Sequence, residues 1–171
     1  MGAVRILGLD PGLRHTGYGI VETKDSRLTF IAAGVVDVPV DIGLPERLAA
    51  LHKGVMEIVT SFSPDEAAVE ETFVNKNPNS TLKLGQARGV VLLAPALRGV
   101  PVCEYTPNQI KKAVVGVGHA EKQQVDMMVH TLLPACGEKL KPDAADALAA
   151  AICHAYMRTV TRRMDILRGN V

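Results

Sequence analysis

The chain is poor in aromatic residues, with no tryptophan and only three phenylalanines and three tyrosines among its 171 residues. Aliphatic side chains must therefore fill the interior, and an aromatic side chain outside it draws notice. The three cysteines, Cys103, Cys136 and Cys153, are odd in number and form no C-x-x-C pair. This spacing argues against a disulfide framework and against a thiolate zinc site, and it predicts a reducing compartment, the cytoplasm.

Long apolar runs are also missing. No stretch reaches the roughly 18 consecutive apolar residues of a membrane helix, and the N-terminus lacks the pattern of a signal peptide, so no membrane partner is expected. The five histidines form neither H-x-x-x-H nor H-E-x-x-H, so each is interpreted as a surface or partly buried polar residue. One of them, His154, follows Asp146 by two helical turns on what could be the same face.

Charge of one sign is not in excess. The 19 basic and 18 acidic residues give a net charge of +1, which by itself gives no signal for nucleic acid. The basic residues are unevenly placed, and a local basic surface can still bind phosphates. They concentrate in the middle of the chain and at its C-terminus, at Lys111, Lys112, Lys122, Arg158, Arg162, Arg163 and Arg168.

The pattern of apolar residues predicts one α/β domain. Apolar or β-branched segments predict strands at residues 4–10, 17–23, 28–38, 67–72 and 102–105, the first three as an antiparallel meander. Helical spacing predicts helices at residues 45–61, 81–98, 107–115, 122–133 and 142–159. This order predicts a five-stranded mixed sheet flanked by helices. We assign residues 1–160 to this domain and residues 161–171 to a flexible basic tail.

Two local predictions concern the second helix and the segment before it. Residues 75–80 are polar and contain a proline, so they are expected to form a loop. Pro95 is expected to kink the helix or end it early. Leucines and glycines fall on or near one face of this helix, at Leu82, Gly85, Gly89, Leu92 and Leu93.

Carboxylates stand where predicted strands end and where the last helix begins. Asp10 closes the first strand at an Asp-Pro-Gly turn, and Glu70 and Glu71 close the fourth. Alternation along a strand puts these two glutamates on opposite faces and does not decide which one faces a site. Asp143 and Asp146 share a face at the start of the last helix. Turn chemistry, solvation and the helix dipole offer each acid a purely structural role as well.

If the fold gathers these acids, they form an oxygen-only site that suits Mg²⁺ better than zinc. The helix after Asp146 carries small residues, Ala147, Ala150, Ala151 and Ala155, which would let it lie close to the sheet. A pair of bound ions is the arrangement used for in-line attack on a phosphodiester. Lys111 or Lys122 could contact a phosphate, although on their sequence alone a solvated helix face is the favoured interpretation of both lysines.

Phe73 follows the acidic strand end and enters a polar loop. It is either an anchor that folds back on the core or a wedge that stacks on an exposed base. Lys76 and Lys83 lie near it in the sequence and could hold phosphates.

Four dispersed stretches in residues 4–157 resemble the RuvC family of Holliday-junction resolvases, the crossover junction endodeoxyribonucleases. They read ILGLDPGLRHTGYGIVE, AVEETFVNKNPNSTLKLGQARGV, YTPNQIKKAVVGVGHAEKQQV and PDAADALAAAICHA. The resemblance implies an RNase H-like fold with Mg²⁺ as cofactor, two ions per site and Mn²⁺ as a substitute. Residues 133–141 and the tail after Arg158 match poorly, so no role is carried over to them.

The resemblance also implies roles for particular residues. The catalytic, metal-binding carboxylates are Asp10, Glu70, Asp143 and Asp146, which selects Glu70 over Glu71. Lys111 and Lys122 correspond to basic residues linked to DNA binding and catalysis, and Phe73 to a junction-stacking aromatic. The expected function is paired, symmetric nicking of four-way junction DNA in recombination and repair. The expected partners are a second copy of the chain and a branch-migration complex of the RuvA and RuvB type.

Two other functions remain as alternatives, and a third is excluded by length. An RNase H-type nuclease would use the same fold on a different substrate, and a non-catalytic junction binder would not need the four acids. An actin-like ATPase also cradles phosphate at a strand ending in aspartate, but it needs a second lobe for which 171 residues leave no room.

Overall fold

The structure, a computed structural model, describes residues 2–71 and 77–167, with side chains described up to residue 160. The strands are β1 (Val4–Asp10), β2 (His15–Lys24), β3 (Arg27–Asp37), β4 (Glu66–Glu70) and β5 (Val102–Tyr105). The helices are α1 (Leu44–Phe62), α2 (Pro78–Leu97), α3 (Pro107–Val115), α4 (Lys122–Leu132) and α5 (Pro142–Leu167), with a 3₁₀ turn at Pro134–Cys136.

The strands form one mixed sheet in the order β3-β2-β1-β4-β5. β1, β2 and β3 pair antiparallel as a meander, and β4 and β5 join the other edge of β1 in parallel. The predicted α/β fold, with a five-stranded mixed sheet and flanking helices, is confirmed. None of the helices in the described residues is long and apolar enough to cross a membrane.

Alternation along the strands divides the interior into two cores. Ile6, Val21 and Ala68 face α3, α4 and α5. Leu7, Ile20 and the other residues of opposite parity face α1 and α2. Because side chains alternate along a strand, Gly8 and Asp10 share the face of Ile6, and Glu66 and Glu70 share the face of Ala68. The ends of β1 and β4 therefore present acids to the α5 side of the sheet.

α5 lies directly on β1 and β2 because the sheet beneath it carries glycines. A Cβ added to Gly8 would come within 1.9 Å of the backbone oxygen of Ala147, and one added to Gly17 within 1.9 Å of that of Asp143. A Cβ at Gly19 would meet the Leu148 side chain at 2.6 Å. Alanines on the helix were predicted to permit close packing. The glycines on the sheet, which the sequence reading did not single out, permit the backbone of the helix to touch it.

Several predicted boundaries differ from the observed ones. α2 begins at Pro78, inside the predicted loop, because the side chain of Asn77 accepts hydrogen bonds from the backbone N–H groups of Asn79 and Ser80 at 3.0 and 3.3 Å. Pro95 lies within the last turn of α2, which runs on to Leu97. β4 ends at Glu70 rather than at residue 72, and the backbone of α5 continues to Leu167. The flexibility of the tail stays a prediction.

The leucines noted on or near one face of α2 do not all lie on its buried side. Ala87, Val91 and Ala94 face the core, whereas the side chains of Leu82 and Leu93 are 65% and 50% exposed. α2 therefore presents an apolar surface on the side away from the sheet.

The contact between α5 and the glycines gives a first prediction. Gly17→Ala should destabilise the protein by about 1–3 kcal/mol, the usual range for overpacking, because the new methyl group would overlap the backbone of Asp143. Urea unfolding measures the change. Gly118→Ala is the matched control, since its added Cβ would meet the backbone oxygen of Asn108 at an ordinary 3.4 Å. Equal unfolding midpoints for the two variants would contradict the packing described here.

Candidate active site

Asp10 and Glu70 end neighbouring parallel strands at one edge of the sheet. The register of β1 and β4 pairs Leu9 with Val69, so the next residue of each strand is an acid. Both side chains are half-buried and lie on the face covered by α5. Glu71 follows the end of β4, and its backbone N–H donates to the carbonyl oxygen of Tyr105 at 2.8 Å.

The turn after Asp10 is held by side chains from elsewhere. The hydroxyl of Thr16, which is fully buried, accepts from the N–H of Gly12 at 3.1 Å and donates to its carbonyl at 2.6 Å. The guanidinium of Arg47 in α1 donates to the carbonyl of Leu13 at 3.2 Å. These contacts fix the backbone that follows Asp10.

The first turn of α5 brings two more acids to the same place. Asp10 pairs with Gly17 in the register of β1 and β2, and the backbone of Asp143 rests on that glycine. One carboxylate oxygen each from Asp10, Asp143 and Asp146 lies within 4.8 Å of the others. A glycine in β2 therefore allows an acid from α5 to reach an acid from β1.

Glu70 stands beside this group of three. It lines a cleft of about 250 Å³ together with Asp146, Lys111, Lys122 and the apolar wall formed by Ile110 and Val125. Its negative charge helps to raise the pKa of Asp10. The structure thus brings the four predicted carboxylates to one sheet edge, with Glu70 on the cleft side.

The acids disturb one another's ionisation. Burial, and then the charges of Glu70, Asp146 and Asp143, raise the pKa of Asp10 to about 8. Burial, and then the charge of Asp146, raise the pKa of Glu70 to about 7. The four carboxylates therefore do not all stay ionised at neutral pH unless positive charge is added.

A lysine supplies part of the missing positive charge. The ammonium of Lys122, at the start of α4, lies 2.7 Å from an oxygen of Asp146, and this hydrogen bond raises the lysine's pKa. The Lys122 side chain is 67% exposed, so it lies on the solvent side of the carboxylates. Lys111 in α3 lines the same cleft. Its positive charge, like that of Lys122, offsets part of the rise in the pKa of Glu70.

This arrangement fits a hard divalent cation. The donors are carboxylate oxygens, which Mg²⁺ prefers, and both raised pKa values indicate a deficit of positive charge where such an ion would bind. Perturbed carboxylates in a cleft are typical of functional sites.

The other predicted substrate-binding residues are less closely placed. Lys83 is exposed on the first half of α2. Phe73 and Lys76 lie outside the described residues, so both predicted roles of Phe73 stay predictions.

One histidine was wrongly interpreted from the sequence. His154 is 5% exposed and lies in the core, not at the surface. It can be buried because Tyr105 and Glu66 each approach one of its ring nitrogens at 2.7 Å. Neither its spacing from Asp146 nor any motif indicated these partners, which come from β4 and β5.

Comparison with known proteins agrees with this geometry. Residues 6–154 match the family described as crossover junction endodeoxyribonuclease RuvC. A protein of that name from Paramagnetospirillum magneticum is 59% identical over 161 residues, covering 94% of this chain and 96% of the relative. Another from Rhizobium johnstonii is 57% identical over 166 residues, covering 97% and 98%.

Solved structures give the same answer. Thermus thermophilus RuvC, in complex with Holliday junction substrate, superposes with a TM-score of 0.85 at 37% identity, covering 92% of this chain and 97% of that one. The yeast mitochondrial Holliday junction resolvase Ydc2 superposes with a TM-score of 0.67 at 16% identity, covering 98% and 86%, which shows a shared fold. By sequence over most of its length and by structure, the chain belongs to the RuvC family of crossover junction endodeoxyribonucleases.

Proposed function

We propose that this protein is an endonuclease that resolves Holliday junctions in DNA recombination and repair by paired, symmetric nicking. The observation that carries the proposal is the group of three carboxylates from β1 and α5 at one sheet edge, with Glu70 of β4 beside it, in a chain of the RuvC family. The Thermus relative, solved in complex with a Holliday junction, supports the choice of substrate.

The cofactor that this site would hold is Mg²⁺, as two ions, with Mn²⁺ as a substitute. Asp10, Glu70, Asp143 and Asp146 would be its ligands. Bound Mg²⁺ would make a water molecule a better nucleophile at neutral pH and stabilise charge developing on the phosphodiester. The carboxylates also fix where that chemistry occurs, since each is anchored on a strand end or a helix start.

The lysines of the cleft would act on the DNA. Lys122 is charged, largely exposed and next to Asp146, so it can turn to a phosphate when a cation replaces it at the carboxylate. Lys111 would contact a neighbouring phosphate of the same DNA strand. Lys76, Lys83 and the stacking side chain of Phe73 would bind the junction further from the cut.

We further propose that the protein works as a homodimer through the exposed side of α2. The second half of this helix, residues 89–97, carries no polar side chain, which is typical of a segment buried all round. Yet Leu93 and Leu97 are 50% and 62% exposed, and Leu82 in the first half is 65% exposed. A second copy related by two-fold symmetry would cover these leucines with the same surface. Two identical sites suit a junction with near two-fold symmetry.

Two wider expectations accompany the proposal. A branch-migration complex of the RuvA and RuvB type would deliver the junction, and the protein would act in the cytoplasm. In the described residues all three cysteines are unpaired, as expected in a reducing compartment.

Asp146→Asn should lower junction cleavage by about 100-fold or more, the scale of losing one preorganised electrostatic group, and leave junction binding intact or tighter. The measurement is Mg²⁺-dependent nicking of a four-way junction, an RNA–DNA hybrid and a plain duplex, beside a binding assay. Glu57→Gln, an exposed acid of α1, is the control and should cleave normally. Unchanged nicking by Asp146→Asn would refute the mechanism, and preferred cleavage of the hybrid would favour an RNase H-type enzyme.

The raised pKa values predict how stability depends on pH. Asp10 and Glu70 bind protons more tightly in the folded chain, with pKa values of about 8 and about 7. The metal-free protein should therefore lose stability as pH rises from about 4 to about 8, because these carboxyls ionise freely in the unfolded chain over this range but resist ionisation in the folded one. Mg²⁺ should restore this loss, and most strongly at the upper end of the range.

Thermal unfolding across that range, with and without Mg²⁺, tests this prediction. Asp10→Asn should flatten the pH dependence and reduce the response to Mg²⁺. A wild-type protein whose stability rises towards pH 8 without metal would contradict the electrostatics described above.

Leu93→Glu should convert the dimer to a monomer because it would place a charge in an apolar interface. Sedimentation at several concentrations measures the change, and junctions nicked on one strand should accumulate. Val40→Glu, at an equally exposed apolar position, is the control and should stay dimeric. A dimer that survives Leu93→Glu would exclude this side of α2 as the interface.

A further inference from the structure

The packing of β4 on α5 has a polar cluster at each end. Glu70 ends β4 and lies near Asp146 of α5, while Glu66 begins β4 and bonds to His154 of α5. Four residues of strand span about 13 Å and eight residues of helix about 12 Å. β4 and α5 therefore run antiparallel, and a polar residue of one lies opposite a polar residue of the other at each end. The carboxylate site is the cluster at one end, and a second cluster lies at the other.

The second cluster, here called the His154 clamp, consists of Glu66, Tyr105, His154 and Arg158. Nε2 of His154 lies 2.7 Å from Glu66 Oε2, and its Nδ1 lies 2.7 Å from the hydroxyl of Tyr105. The Nε of Arg158 donates to both oxygens of Glu66, at 2.8 and 2.9 Å. The clamp thus joins α5 to β4 and β5 through hydrogen bonds on both sides of one buried ring.

Between the two clusters, small residues are prominent where α5 meets the sheet, although the larger Leu148 packs against Gly19 of β2. α5 contributes Ala147, Ala150 and Ala151, which are fully buried, and the sheet contributes glycines and Ala68. Small residues allow close approach, but they offer few side chains that interlock and oppose sliding of the helix along its axis. Hydrogen bonds depend on distance and angle, so the clamp adds a directional constraint on the position of the helix along β4 to the contacts with the glycines of β1 and β2.

We propose that His154 is a positioning residue of the nuclease site. The clamp fixes the axial register of α5 against β4, and this register holds Asp143 and Asp146 at their distances from Asp10 and Glu70. His154 itself touches no substrate. The inference rests on the proposed function in one respect, namely that these four carboxylates bind a divalent cation.

The test measures metal binding and helix placement separately, on the full chain without DNA. Calorimetric titration with Mn²⁺ gives the affinity, and hydrogen exchange of the metal-free protein reports on the first turns of α5. His154→Leu removes both hydrogen bonds of the ring. Tyr105→Phe removes one and keeps the aromatic packing, so it remains informative if the first variant folds poorly. Val55→Ala, in the core on the other side of the sheet, controls for a general loss of stability.

We expect His154→Leu to weaken Mn²⁺ binding by about tenfold or more, the scale on which groups behind metal ligands act. Tyr105→Phe should weaken it less, and Val55→Ala should leave it unchanged. In the metal-free protein, backbone amides at the start of α5 should exchange faster in both clamp variants than in Val55→Ala.

The outcomes separate the two proposals. Wild-type affinity and wild-type exchange in both clamp variants would overturn the positioning role and leave the metal site standing. The same holds if Val55→Ala weakens Mn²⁺ binding as much as the clamp variants do. Faster exchange in the clamp variants, with no Mn²⁺ binding even by the wild type, would support the clamp's hold on α5 and refute the proposed function.

Discussion

The structure depends on the direct contact between α5 and the sheet. Because Gly8 and Gly17 lack a Cβ, the backbone of α5 reaches the backbone of β1 and β2, and its first turn arrives at the edge where β1 and β4 end. An acid on each of those strands then meets two acids on the helix. A side chain at either glycine would overlap the backbone of α5 at Ala147 or Asp143.

That contact creates an electrostatic problem that the protein solves only in part. Four half-buried acids share one edge, and burial together with repulsion lifts the pKa of Asp10 to about 8. The ammonium of Lys122 at Asp146 offsets one charge. A divalent cation would offset more. Relief of the repulsion among the carboxylates would then contribute to the binding free energy of the cation. Under the proposed function, stability and metal binding are coupled through the same carboxylates.

Much of this could be predicted from the sequence, and the rest could not for physical reasons. Strand ends and the i, i+3 spacing placed Asp10, Asp143 and Asp146 correctly because these patterns are local. Alternation alone could not choose between Glu70 and Glu71, since the choice depends on which face α5 covers. The partners of His154 lie 49 and 88 residues away in sequence, and no spacing rule reaches them. The sequence did not show which side of α2 is buried either, because residues 89–97 of that helix are all apolar or glycine.

The most direct test of the account is a crystal structure of the protein grown with Mn²⁺ and measured for anomalous scattering. The account predicts an anomalous peak within coordinating distance, about 2–2.3 Å, of carboxylate oxygens of Asp10, Asp143 and Asp146, with Glu70 contributing on the cleft side. A well-ordered site without a peak, or with Lys122 still bound to Asp146 at saturating Mn²⁺, would contradict it.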